Sequence, residues 1–198
     1  MKRIDRLWWP DADQHCHRAV LREVKDADRA IALCGRTRTC IQAGGNVGVW
    51  ANHLAKTFGT VWTFEPDWEN YQCLLKNKAE RVYAIMEALG DHSGAMGMKR
   101  EPNNAGAHRM HGSGQIPVNT IDFHGARDVD LIALDIEGME PLALSGAAET
   151  IRKYRPVLMV EDKGISEHYG HPKGWSESFP GYRVAKRVHR DVILVPDD

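Results

Sequence analysis

The sequence lacks several features that would assign it to a specialised class of protein. It contains no continuous run of about 20 apolar residues, the length that a membrane-spanning helix needs. Its opening, Met1-Lys2-Arg3-Ile4-Asp5-Arg6, has no apolar core of the kind found in secretory signal peptides. We therefore expect no membrane segment and a cytoplasmic location.

An excess of charge of one sign is also missing. The 26 Lys and Arg residues nearly balance the 27 Asp and Glu residues, which leaves a formal net charge of -1. Sequence-independent nucleic-acid binding depends on clustered basic residues, so general nucleic-acid binding is not expected. The nearest approach to a basic patch, Lys186-Arg187 with His189-Arg190, is interpreted as a solvated face of a strand.

Cysteine is scarce, and its spacing indicates neither a metal site nor a disulfide framework. The four cysteines are Cys16, Cys34, Cys40 and Cys73, and no two of them form a Cys-x-x-Cys pair. We expect them to be reduced, with Cys40 and Cys73 buried in apolar elements. The ten histidines also offer no zinc-type set of ligands, so no zinc site is predicted.

The sequence does contain a regular alternation of predicted strands and helices. Its 198 residues suit one domain, which we place over 1–198. Strands are predicted at residues 39–43, 61–64, 81–86, 130–135, 156–161, 182–185 and 192–195, with helices that include about 47–58 and 140–153. This order predicts a doubly wound α/β fold with a mainly parallel sheet and right-handed crossovers.

Two stretches fall outside the alternation. Residues 1–38 form an N-terminal helical lead, with one amphipathic helix predicted at about 12–34. Residues 92–115 are a glycine-rich insertion, interpreted either as a functional loop or as a hairpin with arms at 96–98 and 108–110. In the first interpretation, a lid over a substrate includes His108, Arg109 and His111. In the second interpretation, the same three residues belong to a plain hairpin.

Candidate functional residues follow the predicted strands. The stretch Gln42-Ala43-Gly44-Gly45-Asn46-Val47-Gly48 is a glycine turn between a strand and a helix, where a ligand approaches the backbone and meets unpaired N–H groups. Glu65 ends the next strand, about 20 residues further on, where an acid can accept hydrogen bonds from ribose hydroxyls. Further polar residues follow the later strands at 87–91, 135–137 and 161–163.

The glycine turn and Glu65 alone leave the ligand open. Their spacing suits a nicotinamide dinucleotide and S-adenosylmethionine equally well. An oxidoreductase is disfavoured because the chain leaves little room for a second catalytic domain after one sheet. A non-catalytic nucleotide-binding module on the same fold is a third alternative.

Four motifs in one order resemble those of the FkbM-type family of S-adenosylmethionine-dependent methyltransferases. They are the glycine turn, Phe64-Glu65-Pro66-Asp67, Ala88-Leu89-Gly90-Asp91 and Leu134-Asp135-Ile136-Glu137-Gly138-Met139-Glu140, and the likeness runs from about residue 39 to 161. The resemblance implies a Rossmann-like, seven-stranded sheet of the class I methyltransferase type with an antiparallel last strand. It also implies S-adenosylmethionine as cofactor and, usually, O-methylation.

The resemblance further implies a role for individual residues. Gly44, Asn46 and Gly48, with Gly45 in the same turn, would line the methionine part of the cofactor. Glu65 would hold the ribose, and Glu87, Ala88 and Leu89 would flank the adenine. Gln42 stands where the family usually has an acid, so its uncharged amide oxygen would hold the cofactor's amino group.

Asp135 is the leading candidate for the reacting centre, as a base or as a group that orients the acceptor; its alternative role is to bind the cofactor's amino group. Glu137 would orient the acceptor or begin the next helix, where an acid is favoured. Lys163 follows the fifth strand and would pair with Asp135 to activate a hydroxyl, or lie on the surface. A divalent ion on Asp135, Glu161 and Asp162 is a less favoured alternative, so no metal is predicted. The acceptor and any homo-oligomer are left open.

Overall fold

A seven-stranded sheet organises the structure, a computed structural model that describes residues 1–197. In chain order the strands are β1 (Lys2–Ile4), β2 (Leu7–Trp9), β3 (Thr39–Ala43), β4 (Thr60–Phe64), β5 (Val82–Ile85), β6 (Ala88–Leu89), β7 (Gly94–Met96), β8 (Met98–Lys99), β9 (Arg109–Met110), β10 (Ile116–Asn119), β11 (Val129–Leu134), β12 (Val157–Glu161), β13 (Tyr182–Val188) and β14 (Asp191–Pro196). The helices are α1 (Cys16–Glu23), α2 (Ala27–Ile31), α3 (Val49–Leu54), α4 (Trp68–Asn77), α5 (Glu140–Ser145) and α6 (Ala148–Tyr154).

The order of the strands confirms the predicted fold class. Across the sheet it is β5-β4-β3-β11-β12-β14-β13. The five strands from β5 to β12 pair in parallel, whereas β14, the last strand, is antiparallel to both of its neighbours. The sheet is therefore Rossmann-like and mainly parallel, with the antiparallel last strand inserted before the edge strand.

The sheet is central because its inner strands are apolar on both faces. Every residue of β3 and β12 is buried, as expected of parallel strands covered by helices on both sides. Side chains alternate along β3, so Ile41 and Ala43 enter the core on one face while Cys40 enters the core on the other. Residues of α2 and α3 cover the second face, and residues of α5 cover the first.

Two predicted helices are interrupted in the structure. The lead is not one helix over 12–34: α1 begins at Cys16, a 3₁₀ turn at Val24–Asp26 follows, and α2 ends at Ile31. The helix predicted at 140–153 divides into α5 and α6 at Gly146. A side chain at Gly146 would overlap the carbonyl oxygen of Gly90, so this close approach requires glycine.

The insertion at 92–115 contains the hairpin that was one of its two interpretations. Strands β8 and β9 pair antiparallel, with Met98 opposite Met110. Strand β7 pairs with β10 in a separate small sheet that also includes β6. Among the helices of residues 1–197, none has the length and apolar character that a bilayer crossing requires.

Candidate active site

A cavity of about 450 Å³ opens at the carboxyl ends of the parallel strands. This is the edge of an open α/β sheet at which ligands bind. Ten of the predicted site residues line it: Gly44, Gly45, Asn46, Glu65, Glu87, Ala88, Leu89, Asp135, Glu137 and Lys163. The structure therefore brings together the residues predicted for the cofactor and those predicted for catalysis.

The glycine turn forms the central wall of the cavity. Gly44 has a φ of +81°, and a side chain there would overlap the carbonyl oxygen of Asp135, so only glycine allows β3 and β11 to end this close together. The N–H groups of Gly44 and Gly45 both donate to the carbonyl oxygen of Phe64, at 3.1 and 2.8 Å. Asn46 also has a positive φ, of 47°, which asparagine tolerates better than most residues.

Glu65 connects the glycine turn to the start of α4. Its carboxylate accepts hydrogen bonds from the backbone N–H groups of Asn46, at 2.6 Å, and Asp67, at 2.7 Å. The side chain of Asp67 in turn caps α4. Burial raises the pKa of Glu65 to about 7, against the lowering effect of those N–H donors. A ligand hydroxyl that donates a hydrogen bond to this carboxylate would stabilise its charged form and lower its pKa.

Glu87, Ala88 and Leu89 form another part of the wall. Ala88 and Leu89 are buried and give an apolar surface. The Glu87 carboxylate accepts a hydrogen bond from the side-chain amide of Asn119 at 2.9 Å and lies 3.3 Å from Nε2 of His124. Apolar contact beside a fixed acceptor suits a flat, polar-edged ring.

Gln42 and Gly48 do not line this cavity. The Gln42 amide nitrogen donates to the carbonyl oxygens of Ala43 and Gly44, at 3.0 Å each, and its amide oxygen accepts from the Thr63 hydroxyl. The prediction that this oxygen holds a cofactor amino group is therefore not supported by its position, because the side chain braces the turn from behind. Gly48, at a φ of +92°, precedes α3 and shapes the turn without facing the cavity.

Three acids and one lysine line the other end of the cavity, namely Asp135, Glu137, Glu161 and Lys163, and the buried acid Glu140 adjoins them. Oxygens of Asp135, Glu140 and Glu161 lie within 4.8 Å of one another. The Lys163 ammonium lies 2.6 Å from Glu161 and 3.1 Å from Glu137. The predicted direct pair of Asp135 with Lys163 is thus replaced by Lys163 contacts to two other acids, and Lys163 affects Asp135 only through its charge.

The protonation of this acid cluster follows from burial. Burial and the nearby Asp135 raise the pKa of Glu161 to about 9, and burial raises that of Glu140 to about 8. Burial also raises the pKa of Asp135, whose side chain remains accessible from the cavity. Burial alone would lower the pKa of Lys163, but Glu137 and Glu161 raise it overall, so this lysine is cationic at neutral pH.

Backbone strain directs Glu137 into the cavity. Its φ is +55°, and Gly138 follows with a φ of +104°. A positive φ at glutamate costs on the order of 1 kcal/mol, and such residues concentrate at functional sites. The turn after β11 is therefore shaped to present this acid beside Lys163.

The alternative metal set is wrong in one of its members. The Asp162 carboxylate accepts hydrogen bonds from the N–H groups of Gly174 and Ser176 and, at 2.7 Å, from the Ser176 hydroxyl. It holds the segment after β12 and does not line the cavity. Glu140 occupies the position beside Asp135 and Glu161 that was expected for Asp162.

Two segments outside the four sequence motifs complete the cavity, and one of them belongs to the insertion at 92–115 that was interpreted as a possible functional loop. Helix α1 contributes residues that include Cys16 and Glu23, and the loop before β9 contributes residues 104–108. The backbone of Ala105 fixes this loop: its N–H donates to Asp13, and its carbonyl oxygen accepts from the side-chain amides of Asn46, at 3.1 Å, and Asn70, at 2.8 Å. Of the three residues proposed for a lid, His108 lines the cavity, and Arg109 and His111 do not.

The fold and the site together define a class I methyltransferase. The sheet has the parallel core and the inserted antiparallel strand of that class, and the cavity combines a glycine turn after one strand with an acid after the next. The family model described as the methyltransferase FkbM domain matches residues 42–183, more than half of the chain. The chain therefore belongs to the FkbM methyltransferase family.

Solved structures share the fold. The methyltransferase FkbM from Methylobacillus flagellatus KT is 22% identical, with a TM-score of 0.56 over 81% of this chain and 44% of that one. The chain thus spans less than half the length of that methyltransferase. A precorrin-6y C5,15-methyltransferase from Geobacter metallireducens GS-15 is 10% identical, with a TM-score of 0.55 over 96% of this chain and 92% of that one. No curated protein matches the sequence.

Proposed function

We propose that this FkbM-family methyltransferase uses S-adenosylmethionine to methylate a hydroxyl oxygen on a small molecule, a sugar or a nucleotide. The observation that carries the proposal is the single cavity, which joins the glycine turn and Glu65 to Asp135, Glu137 and Lys163. One part of its wall suits an adenosine group, and another holds acids and a lysine that suit proton transfer.

The residues present fit the cofactor. A cavity of about 450 Å³ lies within the range of about 300–1,000 Å³ typical of small-molecule sites. Each Glu65 oxygen accepts one backbone N–H and has a second lone pair for a ribose hydroxyl. Ala88 and Leu89 would flank the adenine, and the turn at Gly44, Gly45 and Asn46 would follow the methionine part.

The cofactor supplies a methyl group already bonded to a good leaving group, so the protein's task is to orient the acceptor and remove its proton. Asp135 is accessible from the cavity, and burial raises its pKa, which makes its carboxylate a stronger base than an ordinary aspartate. In our proposal the acceptor's hydroxyl proton passes to the Asp135 carboxylate. Glu161, protonated at pH 7, donates a hydrogen bond to Asp135, while Glu137 orients the acceptor.

Lys163 supplies the positive charge that a divalent ion would otherwise provide beside these acids. The proposal therefore includes no metal, and we expect turnover to be unaffected by a chelator such as EDTA. The cytoplasmic location and the absence of general nucleic-acid binding stay predictions from the sequence.

Calorimetry with S-adenosylmethionine, S-adenosylhomocysteine and NAD tests the cofactor. We expect binding of the first two and none of NAD, and binding of NAD alone would overturn the proposal. A screen of hydroxylated acceptors with methyl-labelled cofactor tests the reaction. Cofactor binding with no transfer to any acceptor or to the protein would favour the non-catalytic module instead.

A further inference from the structure

A small side pocket adjoins the main cavity behind the glycine turn. Its volume is about 20 Å³, its polar lining comes from Gln42, Gly44, Asp135 and Asp191, and Trp50 is among its apolar lining residues. Gly44 and Asp135 also line the main cavity, so the two spaces share a wall. A space of this volume holds one group the size of a water molecule, and an ammonium group has about that size.

Asp135 and Asp191 are the two acids that line the side pocket. Asp135 shares a hydrogen bond with Glu161, whereas the Asp191 side chain has no partner among residues 1–197. Glu65 accepts backbone N–H groups, Glu140 accepts the Ile136 N–H at 2.7 Å, and Glu161 contacts Lys163. Within residues 1–197, the Asp191 side chain has no hydrogen bond and no ion pair. Burial and the neighbouring Asp135 raise the pKa of Asp191 to about 7, which a cationic ligand would reverse.

The position of the pocket indicates which part of a ligand reaches it. A side chain on Gly45 would meet Leu74, Thr63 and Glu65, whereas one on Gly44 would meet the backbone of Asp135. Gly45 therefore lies beside the acid assigned to the ribose, and Gly44 lines both the main cavity and the side pocket. Gln42 lines that pocket without charge, and both ends of its amide are already hydrogen-bonded.

We propose that the side pocket binds the primary ammonium group at the amino-acid end of the cofactor, and that Asp191 is the carboxylate that pairs with it. This inference rests on the proposed function. It gives β14, the strand that runs antiparallel to its neighbours, a direct part in cofactor binding.

The test compares ligands that differ only at the amino-acid end, by calorimetry on the full chain and on Asp191→Asn. S-adenosylhomocysteine carries the ammonium group, deaminated S-adenosylhomocysteine lacks only that group, and methylthioadenosine lacks the whole amino-acid end. We expect Asp191→Asn to weaken S-adenosylhomocysteine binding about 10- to 100-fold and to change methylthioadenosine binding by less than about twofold. Glu80→Gln, an exposed acid far along the sequence, should change neither affinity.

Unchanged binding of S-adenosylhomocysteine by Asp191→Asn would overturn the inference, and so would an equal loss for both ligands. If Asp191→Asn does not fold, the unmodified chain decides: it should bind the deaminated ligand much more weakly than S-adenosylhomocysteine, and equal affinities would overturn the inference. Failure of the unmodified chain to bind S-adenosylhomocysteine at all would instead refute the proposed function.

Discussion

The buried carboxylate of Asp13 joins the N-terminal lead to the loop that lines the cavity. Oδ1 accepts hydrogen bonds from the backbone N–H groups of Cys16 and Ala105, at 3.1 Å each, and Oδ2 accepts from that of His17 at 3.1 Å. Cys16 and His17 begin α1, and Ala105 anchors the loop. Asp13→Ala removes both acceptor oxygens, and with them these three hydrogen bonds and the contact of Oδ2 with Nδ1 of His17 at 3.1 Å.

The expected loss of stability follows from these three bonds. Removing a side-chain acceptor from the first turn of a helix costs about 0.5–2 kcal/mol. A buried N–H left without an acceptor, here that of Ala105, costs about 1–3 kcal/mol. We therefore expect the free energy of unfolding of Asp13→Ala to fall by about 2–4 kcal/mol. Asp13→Asn, which keeps one acceptor oxygen, should lose less.

Urea unfolding measures the loss of stability, and limited proteolysis measures how readily the loop anchored by Ala105 is cleaved. Asp11→Ala is the matched control, because Asp11 is exposed and, within residues 1–197, its side chain pairs only with the N-terminal ammonium group, at 2.6 Å. We expect the control to stay within about 0.5 kcal/mol of the unmodified chain. In Asp13→Ala, cleavage within residues 101–108 should accelerate. An unfolding free energy like the control's, or an unchanged rate of cleavage there, would refute the assigned role of Asp13.

Three further predictions follow from the site. Glu65→Gln places an amide NH₂ against a backbone N–H, so the affinity for S-adenosylhomocysteine, measured by calorimetry, should fall at least about tenfold. Glu87→Gln changes an acid elsewhere in the wall and should lose less affinity. Equal losses in the two variants would contradict the ribose assignment. Asp135→Asn should lower the methyl-transfer rate at least about 100-fold once an acceptor is known, with a smaller effect on cofactor affinity; full turnover would remove Asp135 as the base. Because burial raises the pKa of Glu65 from 4.5 to about 7 and that of Glu140 to about 8, the ligand-free folded state retains protons that the unfolded chain releases. Its unfolding free energy should fall as pH rises from about 4.5 to 8, by on the order of 3 kcal/mol for Glu65, and a flat profile in urea titrations would contradict these shifts.

The strands of the sheet were predictable because the sequence pattern that marks each strand lies within the strand and its immediate flanks. The predicted strand at 39–43 is the one that the structure contains, and the closing pair differs from its prediction only in length. Apolar runs bounded by glycine, proline and acids need no distant contact to be recognised. The carboxyl ends of parallel strands share one edge, so the strand-end residues Glu65, Asp135 and Lys163 were expected to meet, as they do.

Strands β1 and β2 pair antiparallel as an N-terminal hairpin. This hairpin was missed because its stabilising contacts are distant in sequence. The side chain of Asn77 accepts the N–H of Trp8 at 2.8 Å and donates to the carbonyl oxygen of Trp8 at 2.9 Å. Trp9 is fully buried, against residues from several parts of the chain. Strands of three residues carry too little alternation to be detected, so only the folded structure reveals them.

The position of Gln42 follows from the alternation of side chains along β3. Ile41 and Ala43, on either side of Gln42, enter the core on one face of the sheet. The same alternation sends Gln42 to the opposite face, where the Thr63 hydroxyl and Ala43 carbonyl satisfy its amide. By contrast, no pattern in the sequence pointed to Ala105, because its role depends on backbone groups rather than on its side chain.

In our proposal, the arrangement of charge in the cavity divides between two acids the two roles that were alternatives for Asp135. Lys163 neutralises part of the cluster through Glu137, and protonation removes the charge of Glu161, which Lys163 also contacts. Asp135 is then the accessible carboxylate at the reacting end, and Asp191 is the unpaired one at the side pocket. If one carboxylate served both tasks, a bound ammonium group would lower its pKa and weaken it as a base. A separate acid on β14 for the ammonium group leaves Asp135 free to take up the acceptor's proton.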